Sequence, residues 1–199
     1  YRMADGRLLV HSVVCLEEGA QRELEALGTP AVMIVPNEGH RLDAAAWKQR
    51  YPQIQVLCPA AARAKVAEKV AVDATCEDTL GPLGVAFHVP PGFKPGYELI
   101  YEVPIPGGKA LIVNDVLANS TQIPGFQGMI LGLLGTPRGG FGRPRIVNFF
   151  FGQDRSAFRP FVERLAARDD VLVLTVSHGA PVSGRDEVRS RLAEAASKL

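Results

Sequence analysis

The sequence is poor in cysteine and in charge of either sign in excess, and it lacks the long apolar runs and most of the short motifs that would name an activity outright. Its three cysteines, Cys15, Cys58 and Cys76, include no Cys-x-x-Cys pair. That excludes a disulfide framework and a thiolate zinc site. Cys15 and Cys58 lie in or beside apolar runs and read as core fillers. Lys+Arg 22 against Asp+Glu 21 leaves a net charge of +1, so no basic excess points to nucleic acid. No apolar run nears the ~18–20 residues of a membrane span; Met129–Leu134, flanked by glycines, comes nearest. The expectation is a chain without nucleic-acid or membrane partners, in the reducing setting of the cytoplasm. Tyr1-Arg2-Met3 opens no signal-peptide pattern, and the first residue is not Met, which leaves room for residues upstream. Asn119-Ser120-Thr121 matches a glycosylation sequon, read as coincidence because nothing points to secretion. There is no Gly-x-Ser-x-Gly elbow. The first strand is followed by no Gly-x-Gly-x-x-Gly, and no Gly-x-x-x-x-Gly-Lys-Ser/Thr occurs.

What is present is material for one sizeable core. The 199 residues are 47% hydrophobic and 22% charged, which suits a single domain spanning 1–199. Arg7–Val14 is a buried strand. A helix over Glu17–Leu27 follows, with Leu16, Ala20, Leu24 and Leu27 on one face and Gly28 as its C′ residue. Ala31–Val35 is a second strand. Asp43 is placed to cap a helix over Ala44–Arg50. Ile54–Cys58 is a third strand and Ala60–Val70 a helix. This alternation predicts parallel strands covered by helices, and continuous apolar strands fit that burial. The character then changes. Val85–Val89, Glu98–Val103 and Lys109–Val113, separated by Pro/Gly turns, predict an antiparallel meander. Residues 118–148 form a Gly/Pro-rich insertion; a loop of this length is functional or partly helical. Ser156 is placed to cap a helix through Ala167, with Pro160 near its first turn. Val171–Val176 is a last strand, and Arg185–Leu199 a helix with Val188, Leu192, Ala195 and Leu199 inward.

Polar loops at the ends of buried strands are where α/β proteins keep their chemistry. Three such ends carry Glu38, His40 and Asp43; Asn114-Asp115; and Ser177-His178-Gly179. Imidazole with carboxylate suits zinc, iron or manganese better than calcium or magnesium. His11, mid-strand, and Trp47 read as core. His88 is a remote substitute for a ligand. Arg138, Arg143 and Arg145 could meet an anionic substrate, although a solvated loop is the commoner outcome. Phe149-Phe150-Phe151 reads as packing or as a self-association patch, which allows a homo-oligomer.

The order of a strand, a His-bearing loop, a helix, "RYPQIQVLCP", a meander, "LIVNDVL" and "LTVSHGAPVSG" resembles the metallo-β-lactamase fold superfamily over nearly the whole chain. The resemblance implies an α/β architecture, an αββα sandwich with a metal site at the strand ends, preceded in the family by one or two strands more. The family's His-x-His-x-Asp-His motif falls on Glu38, His40, Leu42 and Asp43, of which His40 alone is kept. The histidine that follows Pro-Gly in the family's meander is Phe93 here, after Pro91-Gly92. The bridging Asp falls on Asp115 and the last His on His178. This looks like a divergent branch with a degenerate motif rather than a β-lactamase or a glyoxalase.

Two functions follow from that altered set. In one, the chain is a hydrolase of unknown small-molecule substrate. A single divalent cation (zinc, iron or manganese) is held by Asp43, Asp115 and His178, with His40 or Glu38 as general base or supplementary ligand. In this reading the insertion at 118–148 caps the site and sets substrate choice. In the alternative it is a catalytically silent, metal-free binding or scaffold protein on the same fold, which Phe93 in a ligand's place favours.

Overall fold

Apolar strands and intervening helices form in the order their spacing predicts, and the change in pattern near residue 85 marks a real division. The computed structural model describes residues 1–94, 96–120, 140–144, 147, 149 and 151–199, in two units, Tyr1–Gly84 and Val85–Leu199.

The first unit runs β1 (Leu8–His11), α1 (Glu18–Leu27), β2 (Pro30–Ile34), α2 (Ala44–Arg50), β3 (Gln55–Cys58), α3 (Arg63–Ala67), β4 (Ala74–Thr75) and α4 (Cys76–Thr79). Its four strands pair in parallel in sequence order, as the alternation predicted. Met33, Val35, Ile54, Val56 and Cys58 pack with Ala44 and Trp47 of α2 and Val66 of α3 into one core. Trp47 is core, as read, and its indole N–H donates to the Val14 carbonyl at 3.0 Å.

Three local expectations need correction. The α1 face is apolar only in part: Leu24 packs against this core, whereas Leu16, Ala20 and Leu27 are exposed and Gln21 is the buried residue of the helix. Gln21 Nε2 donates to Tyr51 Oη at 2.5 Å, and Tyr51 Oη donates in turn to Glu25. Arg50 pairs with Glu18 and Glu25. A polar network to α2 thus orients α1 together with Leu24, where periodicity predicted a wholly apolar face. Asp43 stands at the start of α2, but its side chain caps nothing there; it accepts from the Cys15 backbone N–H at 2.8 Å. Cys15 is exposed, whereas Cys58 and Cys76 are buried, because the chain leaves the sheet after Ser12; burial pushes the Cys58 thiol up to about 11.

The second unit holds β5 (Ala86–His88), β6 (Ile100–Ile105), β7 (Gly108–Val113), β8 (Ala118–Ser120), β9 (Gly140–Gly142), α5 (Arg155–Ala166), β10 (Val171–Val176), β11 (Val182–Ser183) and α6 (Arg185–Ser197). Its main sheet has the order β11-β10-β7-β6-β5. β5, β6 and β7 are the expected antiparallel meander. β10 returns parallel to β7, with Leu174 opposite Leu111 and Val176 opposite Val113. Ile100, Leu111, Val113 and Leu174 pack with Phe158, Val162 and Leu165 of α5 and with Val188, Leu192 and Ala195 of α6. The inward face expected of α6 is therefore present. α5 is capped by Asp154, which accepts from the Ser156 N–H, not by Ser156. Pro160 consequently lies inside the helix. Most of the insertion, 121–139 with 145, 146 and 148, lies outside the described residues, as do Arg138, Arg145 and Phe150. Among the described residues no helix is long and apolar enough to cross a membrane.

A buried charge on the meander gives the fold an acid-sensitive point. Glu102 of β6 meets Arg168 at 2.5 Å, His88 at 3.0 Å and Lys109 at 3.3 Å, so His88 is committed to this pair. The Arg168 hydrogen bond above all, against a smaller opposing effect of burial, holds the Glu102 carboxyl down to about 2 from an ordinary 4.5. A carboxyl depressed on folding stabilises the native state above its unfolded value and loses that contribution as pH falls through the folded one. With solvent screening part of the pairing, the contribution is about 1–2 kcal/mol. Urea unfolding of wild type and Glu102→Gln is expected to show the gap in full above pH 4.5 and to close it toward pH 2. A gap that does not change over that interval contradicts the assignment.

Candidate metal centre

The two units contribute separate groups of the residues expected to carry chemistry. In the first, the chain leaves β2 at Val35 and turns through a 3₁₀ segment, Glu38–His40, where Asn37 accepts from the Gly39 N–H at 2.8 Å. Glu38 and Leu42 are exposed and His40 is half-buried. His40 Nδ1 lies 2.8 Å from Ser12 Oγ at the end of β1. Ser12 has φ +54°, the single positive φ of a non-glycine among the described residues. Such a conformation costs of order 1–3 kcal/mol and persists where its surroundings enforce it. The contact fixes the orientation of the ring.

In the second unit, β7 and β10 are adjacent and parallel, so their C-terminal ends emerge side by side. There Asp115 follows β7 and His178 follows β10. His178 Nε2 lies 2.9 Å from Asp115 Oδ1, and Tyr97 donates its hydroxyl to Asp115 Oδ2 at 3.1 Å. Asp115 is 8% exposed; the His178 side chain is half exposed. The hydrogen bond to Asp115, and then its charge, raises the His178 pKa above 6.5 against an opposing effect of burial. The strand ends are also fastened together. Ser177 N–H donates to the Val113 carbonyl at 3.1 Å and Ser177 Oγ to Asn114 Oδ1 at 2.6 Å. Asn119 N–H donates to the His178 carbonyl at 2.9 Å and Asn119 Nδ2 to the Ala180 carbonyl at 2.7 Å.

Beneath Asp115 sits Glu98, 1% exposed, which the sequence reading missed. Its carboxylate accepts three successive backbone N–H groups, those of Asn114 at 2.7 Å, Asp115 at 2.7 Å and Val116 at 3.0 Å. Burial, joined by the charge of Asp115, pushes its pKa up to about 8, while the three donors pull the other way. The signal available in the sequence was a glutamate at the start of an otherwise apolar strand, Glu98-Leu-Ile-Tyr.

Phe93, at the position of the meander ligand, is 6% exposed. It meets Phe158 edge-on at 5.0 Å between centroids, and the Arg143 guanidinium lies 4.3 Å from its ring centroid. Arg143 is therefore held against aromatic rings rather than in a solvated loop. Tyr97 stacks on Phe151 at 4.0 Å.

A carboxylate and an imidazole at adjoining strand ends, one mostly buried and one open, fit a first-row divalent cation, since both donor types serve zinc, iron or manganese. No protein-family model matches the chain, and no curated protein matches it by sequence. Solved structures do resemble it. A metallo-β-lactamase from Pontibacter korlensis aligns with a TM-score of 0.59 at 14% identity, over 98% of this chain and 84% of that one. One from Erythrobacter litoralis gives 0.58 at 14%, over 99% and 83%. A mono-zinc metallo-β-lactamase from Pseudomonas aeruginosa gives 0.56 at 12%, over 97% and 80%. The chain has the α/β metallo-β-lactamase fold, carried by a sequence only 12–14% identical to those enzymes.

Proposed function

We propose that the protein is a metal-dependent hydrolase whose centre is built on Asp115 and His178. The pair itself, 2.9 Å apart at the ends of adjacent parallel strands, is the observation that supports this reading. His40 and Asp43 are the further donors proposed from the first unit, as the resemblance implies; the Ser12 contact at Nδ1 orients the His40 ring. A divalent cation held by this set would lower the pKa of a water and polarise a substrate oxygen. The chain's own part is to present the Asp115 carboxylate, with Tyr97 Oη fixing its second oxygen, and to keep the His178 ring oriented by Asp115. Glu38, exposed beside His40, is the carboxylate proposed to take a proton from the attacking water. The substrate is a small molecule whose class the insertion at 118–148 would set.

A second reading, a metal-free binding protein on the same fold, draws on Phe93. A buried ring packed on Phe158 and Arg143 leaves no donor at that position. The two readings part on metal content. Protein expressed with added zinc, manganese or iron and purified without a tag is expected to carry one equivalent of metal, and to hydrolyse an activated ester or phosphodiester only when loaded. Metal-replete protein that carries none contradicts the hydrolase and leaves the binding protein.

A further inference from the structure

The Asp115 carboxylate is aimed by a turn, and that turn has a single anchor. Asn114, Asp115 and Val116 follow β7 directly, and their three consecutive N–H groups converge on one acceptor. Consecutive N–H groups pointing into one concavity make an anion-binding nest, and here the anion is the side chain of Glu98, two residues before β6. Oε1 takes the Asn114 N–H, and Oε2 takes those of Asp115 and Val116. Both oxygens act as acceptors, and the three donors take up most of the carboxyl group's lone-pair positions. At 1% exposure Glu98 does not reach solvent or substrate. A buried carboxylate is costly to keep, and an apolar residue would serve the core better. What Glu98 does provide is a fixed position for the backbone of Asp115, and through it for the carboxylate that meets His178.

We propose that Glu98 is the positioning residue of the candidate centre, holding the 114–116 turn so that Asp115 and His178 present their donor atoms together. The assignment rests on the metal-centre reading in its consequence for cation binding, but not in its geometry. Partners that orient a metal ligand typically change affinity by about 10–100-fold when removed. Glu98→Gln keeps the shape, yet its amide nitrogen must face at least one of the three N–H donors and leave it unsatisfied.

The experiment compares wild type, E98Q and Val162→Ala, a core truncation in α5 at a residue 0% exposed, by two measurements. Zinc titration of metal-free protein is expected to show at least a tenfold loss of affinity in E98Q. V162A should keep wild-type affinity even where its melting temperature falls further. Amide hydrogen exchange, read without metal, should find the 114–116 N–H groups among the slowest loop amides of wild type and at least tenfold faster in E98Q. Equal zinc affinity in wild type and E98Q overturns the proposal, as does unchanged protection of those amides. A wild type that takes up no zinc refutes the metal reading alone, and exchange then decides the role of Glu98. Should E98Q not fold, Glu98→Asp, with the charge kept and the reach one methylene shorter, carries the same comparison. Fast exchange of the three amides in wild type overturns the proposal whatever the variants do.

Discussion

Asp115→Ala is expected to abolish zinc uptake, lowering affinity by more than a hundredfold, while changing stability by only about 1 kcal/mol. The asymmetry follows from what the side chain touches. Its two oxygens meet His178 and Tyr97, and both contacts are lost with the carboxylate, so the Tyr97 hydroxyl must find water. Against that, the substitution removes a negative charge next to buried Glu98, one of the causes that raise the Glu98 pKa. The backbone N–H of residue 115 still donates to Glu98, because that bond does not involve its own side chain. The two effects on stability oppose each other, whereas the effect on cation binding has no compensation. Calorimetric zinc titration and urea unfolding, run on the same preparations, check both halves. Full zinc affinity in the variant would remove Asp115 from the centre. A stability loss of several kcal/mol without metal would make it a structural residue.

Gly179→Ala should be the most damaging small substitution in the second unit, costing about 4 kcal/mol or preventing folding. Gly179 has φ +127°, and a Cβ there would sit 1.8 Å from the Asn119 carbonyl oxygen and 2.6 Å from its carbon. These are backbone atoms and cannot swing aside as a side chain would. Asn119 is strapped to the same turn through the His178 and Ala180 carbonyls, so relief means pulling β8 away from the end of β10. Gly184 is the control. Its φ is +97°, but a Cβ there meets nothing within 4 Å, so Gly184→Ala should cost only the backbone penalty, of order 1–3 kcal/mol. Denaturant midpoints for the two variants separate backbone strain from steric collision. A Gly179→Ala protein as stable as Gly184→Ala would show that the turn can open.

The elements legible in the sequence are those whose hydrophobic pattern is strong and local. α2 and β10 have the bounds expected of them, and the meander pairs as its Pro/Gly turns suggest. Continuous apolar runs such as Val32–Val35, every residue of which is buried, leave little choice of environment. β4, β11 and α4 went unseen because two to four residues carry no period. The face of α1 is legible only at Leu24, for another reason: Gln21 is buried by a partner thirty residues away, Tyr51. The same holds for Asp43 with Cys15 and for Arg143 with Phe93. In each case the partner is a group that only folding makes a neighbour.

Order and chemistry of the strand ends belong to the sequence by itself: which runs are buried, that they alternate with helices and then with turns, and that Asp115 and His178 stand just past two of them. Hydrophobic burial is non-directional and follows composition along the chain, so it can be read there. Tertiary structure alone decided that β7 and β10 lie side by side, that Asp115 therefore meets His178, and that Glu98 is folded beneath them to take three backbone N–H groups. Hydrogen bonds are directional and short-ranged, and their partners here are 16 to 63 residues apart, a distance over which no linear pattern specifies who meets whom.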